Sequence, residues 1–125
     1  MIPLRTIIVI FSVAMLGVMP SQAVPRQFEI IIESSSPYYF PASAKVPTGA
    51  PIRWDNPTGS HHTITHDGCI IEGASCAFDS GSIAPNGSFL IPGLPPGSYP
   101  YHCRIHPIMR AVLTVVDPPA ALSQT

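Results

Sequence analysis

Three residues near the C-terminal end of the chain, Cys103, His106 and Met109, follow one another at a strict three-residue spacing. A helix would place them on one face, but Pro100 precedes them and Pro107 lies among them, which disfavours a helix here. We therefore expect a tight loop between two strands, with His106 at its apex. Such a loop can direct a thiolate, an imidazole and a thioether at one centre, and all three groups are metal ligands.

A second imidazole is available upstream at His62, at the start of a predicted strand. A thiolate with two imidazoles and a weak axial thioether is the ligand set of blue-copper electron-transfer sites. Soft sulfur favours Cu(I), whereas imidazole also accepts Cu(II), so such a site can cycle with little rearrangement. The sequence therefore predicts one copper site per chain, with four ligands: His62, Cys103, His106 and Met109.

The segments around these residues resemble the cupredoxins. Trp54-Asp55-Asn56 precedes His62-Thr63-Ile64, and Phe78-Asp79-Ser80-Gly81 precedes the approach to the cysteine, Gly97–Cys103. The Cys-x-x-His-x-x-Met spacing, with Pro after the His, is similar to the short ligand loop of amicyanin-like members; plastocyanins have a longer one. The likeness extends over roughly Phe40–Val116.

The resemblance implies a type 1 (blue) copper protein that carries one electron at a time between Cu(I) and Cu(II). It implies imidazole ligands at His62 and His106, a thiolate at Cys103 and an axial thioether at Met109. Asn56 is the candidate for the family asparagine that steadies the two ligand loops by hydrogen bonding.

Other histidines compete for these roles. His61 adjoins His62, but neighbouring strand residues face opposite ways, and the Thr-Ile-Thr continuation favours His62. His66 lies four residues along the strand, so a surface or turn role is expected for it. His102, beside the cysteine, should face away; in multicopper relatives such a histidine serves a second copper, but Arg104 departs from their His-Cys-His pattern.

The remaining cysteines, Cys69 and Cys76, flank a short loop. The N-terminal segment predicts export, and in an exported chain a disulfide is the expected state of such a pair. Closing a loop of about eight residues stabilises by roughly 2–3 kcal/mol in the chain-entropy model. A metal site formed by these two thiols with His66 is the alternative.

Short strands account for the rest of the chain. Phe28, Ile30 and Ile32 alternate with polar neighbours, which is typical of a half-buried strand. Turn signals such as Asn86-Gly87 separate further short runs, and no stretch of ten residues after the N-terminal segment has a helical stripe. These features predict an all-β domain, which the resemblance makes a cupredoxin-like Greek-key sandwich or barrel of about seven to eight strands. Further strands are expected at residues 44–46, 51–55, 62–66, 88–91, 98–103 and 110–116, with a frayed tail over residues 117–125.

The N-terminal segment has the three parts of a secretory signal. Arg5 precedes the apolar run Ile7–Val18, and small residues end at Ala23. The run is short for a membrane span, which needs roughly 20 apolar residues, although an uncleaved anchor is the alternative. We expect residues 1–23 to be removed and residues 24–125 to form one domain, periplasmic or secreted and without stable membrane insertion.

Composition limits the remaining function classes. A chain of 125 residues with a formal charge of −1 and no basic stripe is not expected to bind nucleic acid. With Lys45 as the only lysine, strong electrostatic steering is not expected either. We expect a monomer rather than an oligomer.

These observations favour an electron carrier over an enzyme. Redox partners would dock at a small apolar surface around His106, formed by this residue with Ile105, Pro107 and Ile108. Two alternatives remain: a copper-binding or buffering protein outside the cytoplasm, and a subunit of a small copper redox enzyme. Because only one methionine would remain after signal removal, the sequence speaks against a methionine-rich copper buffer.

Overall fold

The computed structural model describes residues 26–118 and, before them, the single positions 9, 10, 12, 14 and 17. Apart from those five positions, the predicted signal over residues 1–23 lies outside the described residues. The same holds for residues 119–125 of the predicted tail. Within the described part of the chain, no helix has the length and hydropathy that crossing a membrane requires.

Eight strands form two four-stranded sheets. They are β1 Phe28–Ile32, β2 Tyr39–Phe40, β3 Ser43–Pro47, β4 Ile52–Asp55, β5 Thr65–His66, β6 Ser88–Ile91, β7 Gly97–His102 and β8 Arg110–Val116. The helical content of residues 26–118 is one 3-10 turn, Asp67–Ile70. The predicted all-β class with seven to eight strands is confirmed.

Both sheets mix parallel and antiparallel pairs. The first has the strand order β2-β1-β4-β6, in which β1 and β4 are parallel. The second has the order β3-β8-β7-β5, in which β3 and β8 are parallel and β7 and β8 antiparallel. Neighbours in each sheet are therefore mostly distant in sequence, and the second sheet brings both candidate ligand segments to the same end of the molecule.

Period-two patterning builds the core between the sheets. On β8, Ala111, Leu113 and Val115 are buried while the residues between them are less so, as expected when alternate side chains face opposite sides of a sheet. Trp54 of β4 is fully buried and donates its indole N–H to the Tyr101 hydroxyl of β7 at 3.2 Å. This bond links the two sheets.

The strand expected over residues 62–66 is shorter than predicted. Only Thr65–His66 forms β5, whereas His62 makes an isolated bridge with Ile83. The Ile64 N–H donates to the side chain of Ser80 at 2.8 Å instead of to a neighbouring strand, so no regular ladder forms there. The two-residue strand β2, Tyr39–Phe40, was not anticipated from the sequence.

Candidate metal centre

The loop that joins β7 to β8 contains three of the four predicted ligands. The strands pair up to His102 and Arg110, leaving Cys103–Met109 as the connection. The Cys103 N–H donates to the Met109 carbonyl at 3.1 Å, and the Met109 N–H donates to the His106 carbonyl at 2.9 Å. These two bonds close the tight loop that the spacing predicted.

The upstream histidine reaches the same place from another segment. The His62 N–H donates to the Ile83 carbonyl at 3.2 Å, and the Ile83 N–H donates back to the His62 carbonyl at 2.7 Å. This reciprocal pair holds the His62 backbone beside the ligand loop. The His62 and His106 rings then lie 5.0 Å apart between centroids.

Three donor atoms converge on one point. The Cys103 Sγ lies 4.0 Å from the Nδ1 of His62 and 3.8 Å from the Nδ1 of His106, and one ligand atom from each residue lies within 4.8 Å of the others. Atoms bound to one ion at about 2.0 Å (nitrogen) and 2.3 Å (sulfur), as around zinc, must have separations of this order. The thiol and two imidazoles therefore fit a single first-row transition-metal ion.

The predicted axial residue borders this group. Met109 is 2% exposed and lines a cavity of about 230 Å³ together with His62 and His106. Its thioether is a soft ligand, and soft sulfur in a mixed sulfur–imidazole set suits copper. The donor set is thus chemically matched to a type 1 copper ion.

Burial keeps His62 ready to bind a metal. Desolvation lowers the pKa of His62, and the neighbouring imidazoles of His106 and His61 lower it further. The ring is therefore neutral at physiological pH, and a neutral imidazole is the form that binds metals. Cys103 is fully buried and its sulfur accepts a hydrogen bond from the Thr63 N–H at 3.3 Å.

A closed ring of hydrogen bonds ties the two ligand segments together. The Arg104 N–H donates to the Thr63 hydroxyl at 2.8 Å, which lies 2.9 Å from the Thr65 hydroxyl. Thr65 donates to one oxygen of Asp79 at 3.0 Å, and the Arg104 guanidinium donates to the other at 2.7 Å. Because every group in the ring has a hydrogen-bond partner, the ring fixes the position of the Thr63–Thr65 segment relative to Arg104, which follows the thiol.

The asparagine suggested by the resemblance has a different role. Asn56 bonds to the backbone of Ser60, Ile83 and Ala84 and to Thr58, and it makes no hydrogen bond to the β7–β8 loop. Thr63, directly after His62, makes the link between the loops instead. Its position directly after His62, a predicted ligand, was the one signal in the sequence that could have indicated this.

The other histidines lie outside the ligand group. His61 is exposed and its Nδ1 lies 3.1 Å from the Ser82 hydroxyl. His66 accepts a hydrogen bond from the Ala77 N–H at 3.1 Å. His102 is buried against Asp67, with 2.6 Å between its Nδ1 and a carboxylate oxygen. Each has a local structural partner away from the converging donor atoms.

The remaining cysteines form a disulfide. Cys69 is bonded to Cys76, and among the described residues Cys103 is the free cysteine. The expected disulfide is therefore confirmed. Because each sulfur is bonded to the other, the alternative of a two-thiol metal site with His66 is excluded in this state.

Solved structures of other proteins have the same fold as this chain. No family model and no curated protein sequence matches the chain, whereas many solved structures do. A purple cupredoxin from Nitrosopumilus maritimus is 24% identical, with 71% of this chain and 99% of that chain covered and a TM-score of 0.59. A reduced amicyanin variant is 19% identical, with coverage of 72% and 82% and a TM-score of 0.62. The chain has the cupredoxin fold.

The same fold recurs inside a larger protein. The Cu-containing nitrite reductase from Thermus scotoductus SA-01 is 22% identical, with a TM-score of 0.60 over 82% of this chain but only 25% of that one. This chain thus corresponds in fold to a part of that enzyme. In this chain the fold brings His62 close to Cys103 and His106 of the β7–β8 loop.

Proposed function

We propose that this chain is an exported type 1 copper protein that carries single electrons between redox partners. The observation that carries the proposal is the convergence of the buried Cys103 thiol with the imidazoles of His62 and His106, all within 4.8 Å. Copper, when bound, supplies the one-electron Cu(I)/Cu(II) couple. Met109, which lines the cavity beside these residues, would supply a thioether as the fourth ligand.

Each residue contributes to this function in a defined way. Cys103 supplies the thiolate, and the Thr63 N–H directed at its sulfur stabilises negative charge there. Hydrogen bonds to a ligand sulfur are one of the factors that tune a blue-copper potential. The hydrogen-bonded ring through Arg104 and Asp79 keeps the ligand segments from moving, which suits a site that must change oxidation state without rearranging.

His106 connects the site to the surface. It is partly exposed, while Ile105 is 49% and Ile108 is 73% exposed beside it, and Pro107 is exposed as well. These residues form an apolar surface on which partners would dock, and transient redox encounters use interfaces below about 1,200 Å². Arg104 and Arg110 flank the surface but pair with Asp79 and Asp67, so they contribute little net charge to it.

Export and domain organisation are part of the proposal. Residues 1–23 would direct the chain out of the cytoplasm, and residues 24–125 would act as a single monomeric domain. The Cys69–Cys76 disulfide supports a periplasmic or secreted location, because structural disulfides persist in oxidising compartments.

The decisive experiment is Cu(II) loading of residues 24–125, followed by optical and paramagnetic spectroscopy. We expect one copper per chain, with intense visible thiolate-to-copper absorption that the Cys103→Ser variant lacks. A matched variant, Cys69→Ser with Cys76→Ser, should retain the band. Absence of the band in the wild type, or its persistence in Cys103→Ser, would refute the assignment.

A second measurement separates the carrier from a copper buffer. A carrier should undergo repeated reduction and oxidation without releasing its metal, because its ligands are already convergent. A buffer should instead give up copper readily to a competing chelator. Metal loss during the first redox cycle would favour the buffer.

A further inference from the structure

A buried chain of polar groups leads away from the rear of the His62 ring. The His62 Nε2 lies 2.9 Å from the Thr58 hydroxyl, which in turn lies 2.6 Å from the side-chain oxygen of Asn56. Exposed fractions are 5% for His62, 7% for Thr58 and 1% for Asn56. Since water has little access to these groups, the direction of each hydrogen bond follows from which atoms can donate.

The orientation of the Asn56 amide is determined by its backbone neighbours. Its Nδ2 lies 2.8 Å from the carbonyl oxygen of Ser60, 3.1 Å from that of Ile83 and 3.3 Å from that of Ala84. Carbonyl oxygens only accept, so the nitrogen must face them. The Asn56 oxygen therefore faces Thr58, where it accepts both the Thr58 backbone N–H at 3.1 Å and the hydroxyl.

The Thr58 hydroxyl has one proton to give. An amide oxygen cannot donate, so the hydroxyl proton lies toward the Asn56 oxygen at 2.6 Å rather than toward the Ser60 carbonyl, the other acceptor, at 3.2 Å. Toward His62 the hydroxyl can then only accept. The His62 proton must be on Nε2, and a neutral ring with a proton on Nε2 has its lone pair on Nδ1, which is the atom 4.0 Å from the Cys103 sulfur.

We propose that Thr58 is a positioning residue that, oriented by Asn56, selects the Nε2–H tautomer of His62 and holds its ring toward the metal. The inference rests on the proposed function in treating His62 as a ligand. Outer partners of metal-binding histidines fix the tautomer and the ring orientation in this way, and their loss costs roughly 10–100-fold in metal affinity.

The tautomer can be measured without any metal. In metal-free wild-type protein labelled with ¹⁵N at histidine, long-range ¹H–¹⁵N spectra at neutral pH should place the His62 proton on Nε2. Thr58→Val removes the hydroxyl at nearly constant volume and should increase the Nδ1–H fraction, whereas Thr58→Ser should keep the wild-type tautomer. A His62 proton on Nδ1 in the wild type would overturn the proposal, whether or not any variant folds.

Metal affinity provides the second readout. In competition with a Cu(I) chelator, Thr58→Val should bind Cu(I) about 10–100-fold more weakly, while Thr58→Ser should match the wild type. Thr114→Val, a change on β8 outside this network, is the control. Unchanged affinity in Thr58→Val, or an equal loss in Thr58→Ser, would overturn the proposal. Absence of the visible band in wild type would instead refute the copper-carrier function, and the tautomer spectra would still decide the role of Thr58.

Discussion

His61 and His62 stand side by side in the chain but have opposite environments. His62 is 5% exposed and faces the Cys103 sulfur, whereas His61 is exposed and bonds to Ser82. Burial and the adjacent imidazoles also lower the pKa of His62, which keeps it unprotonated. At the scale of single residues, then, the direction of a side chain decides which of two identical groups can be a ligand.

This contrast predicts different outcomes for two alanine variants. His62→Ala should weaken Cu(II) binding by more than the roughly 10–100-fold that loss of an outer partner costs, because a direct donor is removed. His61→Ala should leave affinity and the visible band unchanged. Titration with Cu(II) under a competing chelator measures both. A larger loss in His61→Ala would reverse the assignment.

At the scale of elements, two segments outside the strands hold the site in place. The segment Asp79–Gly81 bonds to Thr65 and Arg104, with Gly81 in the left-handed region at φ 64°. The 3-10 turn Asp67–Ile70, which contains Cys69 of the disulfide, adjoins β7 through the contact between Asp67 and His102. Both segments therefore brace the strand that leads to the thiol.

Asp79 should make the stability of the protein depend on pH in the acidic range. Although burial raises its pKa, hydrogen bonds from the Gly81 N–H, Arg104 and Thr65 outweigh this and lower it. A carboxylate whose pKa is lower in the folded state stabilises the folded protein at pH values above its unfolded-state pKa, near 4. This contribution is lost as the pH falls through the folded-state pKa. Asp79→Asn should lower the free energy of unfolding by about 1–2 kcal/mol at pH 7. Most of this loss comes from the hydrogen bonds, because the ion pair with the half-exposed Arg104 contributes little.

Urea unfolding of the metal-free protein between pH 3 and 7 tests this expectation. The difference between wild type and Asp79→Asn should shrink below about pH 4. Glu72→Gln, a change at an exposed carboxylate of the disulfide loop, serves as the control and should have little effect. A difference that stays constant over this range would contradict the prediction.

The disulfide should stabilise the domain without taking part in its chemistry. Replacing both Cys69 and Cys76 with alanine opens a loop of about eight residues and should lower the free energy of unfolding by about 2–3 kcal/mol. The visible band of the copper-loaded protein should be unchanged. Denaturant unfolding measures the first and absorption the second; Ser75→Ala in the same loop is the control. Loss of the band would show that the loop shapes the metal centre.

At the scale of the whole molecule, one aromatic cluster joins the two sheets. Trp54 of the first sheet lies 5.7 Å from Tyr101 of the second between ring centroids and 5.8 Å from Phe89. Tyr39 packs edge-on against Tyr101 at 4.9 Å and donates its hydroxyl to the Thr63 carbonyl. The core therefore supports the ligand segment directly, because Thr63 adjoins His62.

Truncating the centre of this cluster should destabilise the entire domain. Trp54→Ala removes a fully buried indole and should cost about 3–5 kcal/mol. Leu90→Ala, at a site 57% exposed on the neighbouring strand, should stay within about 0.5 kcal/mol. Chemical denaturation of both variants measures the costs; a small effect of Trp54→Ala would mean that the sheets do not share one core.

Local patterns in the sequence were sufficient for much of this structure. The seven-residue ligand loop was predictable because Cys103, His106 and Met109 are close in the chain and flanked by strand-forming residues. Short runs bounded by turn signals predicted the longer strands, such as Arg110–Val116, because both signals are local in the chain. The disulfide followed from two cysteines only seven positions apart. In each case the determining interactions lie within a short stretch of chain.

Only the tertiary structure decided how these parts support one another. The Thr63–Arg104 bond joins residues 41 positions apart, and the Asn56–Ile83 bond spans 27. The shortness of β5 also depends on a distant residue: the Ile64 N–H donates to the Ser80 side chain instead of to a backbone carbonyl of a neighbouring strand. Donor groups can be identified from residue type and spacing, but hydrogen-bond partners of buried polar groups are selected by packing between distant segments. The sequence by itself therefore determined which residues could bind a metal, and the fold decided which atoms orient them.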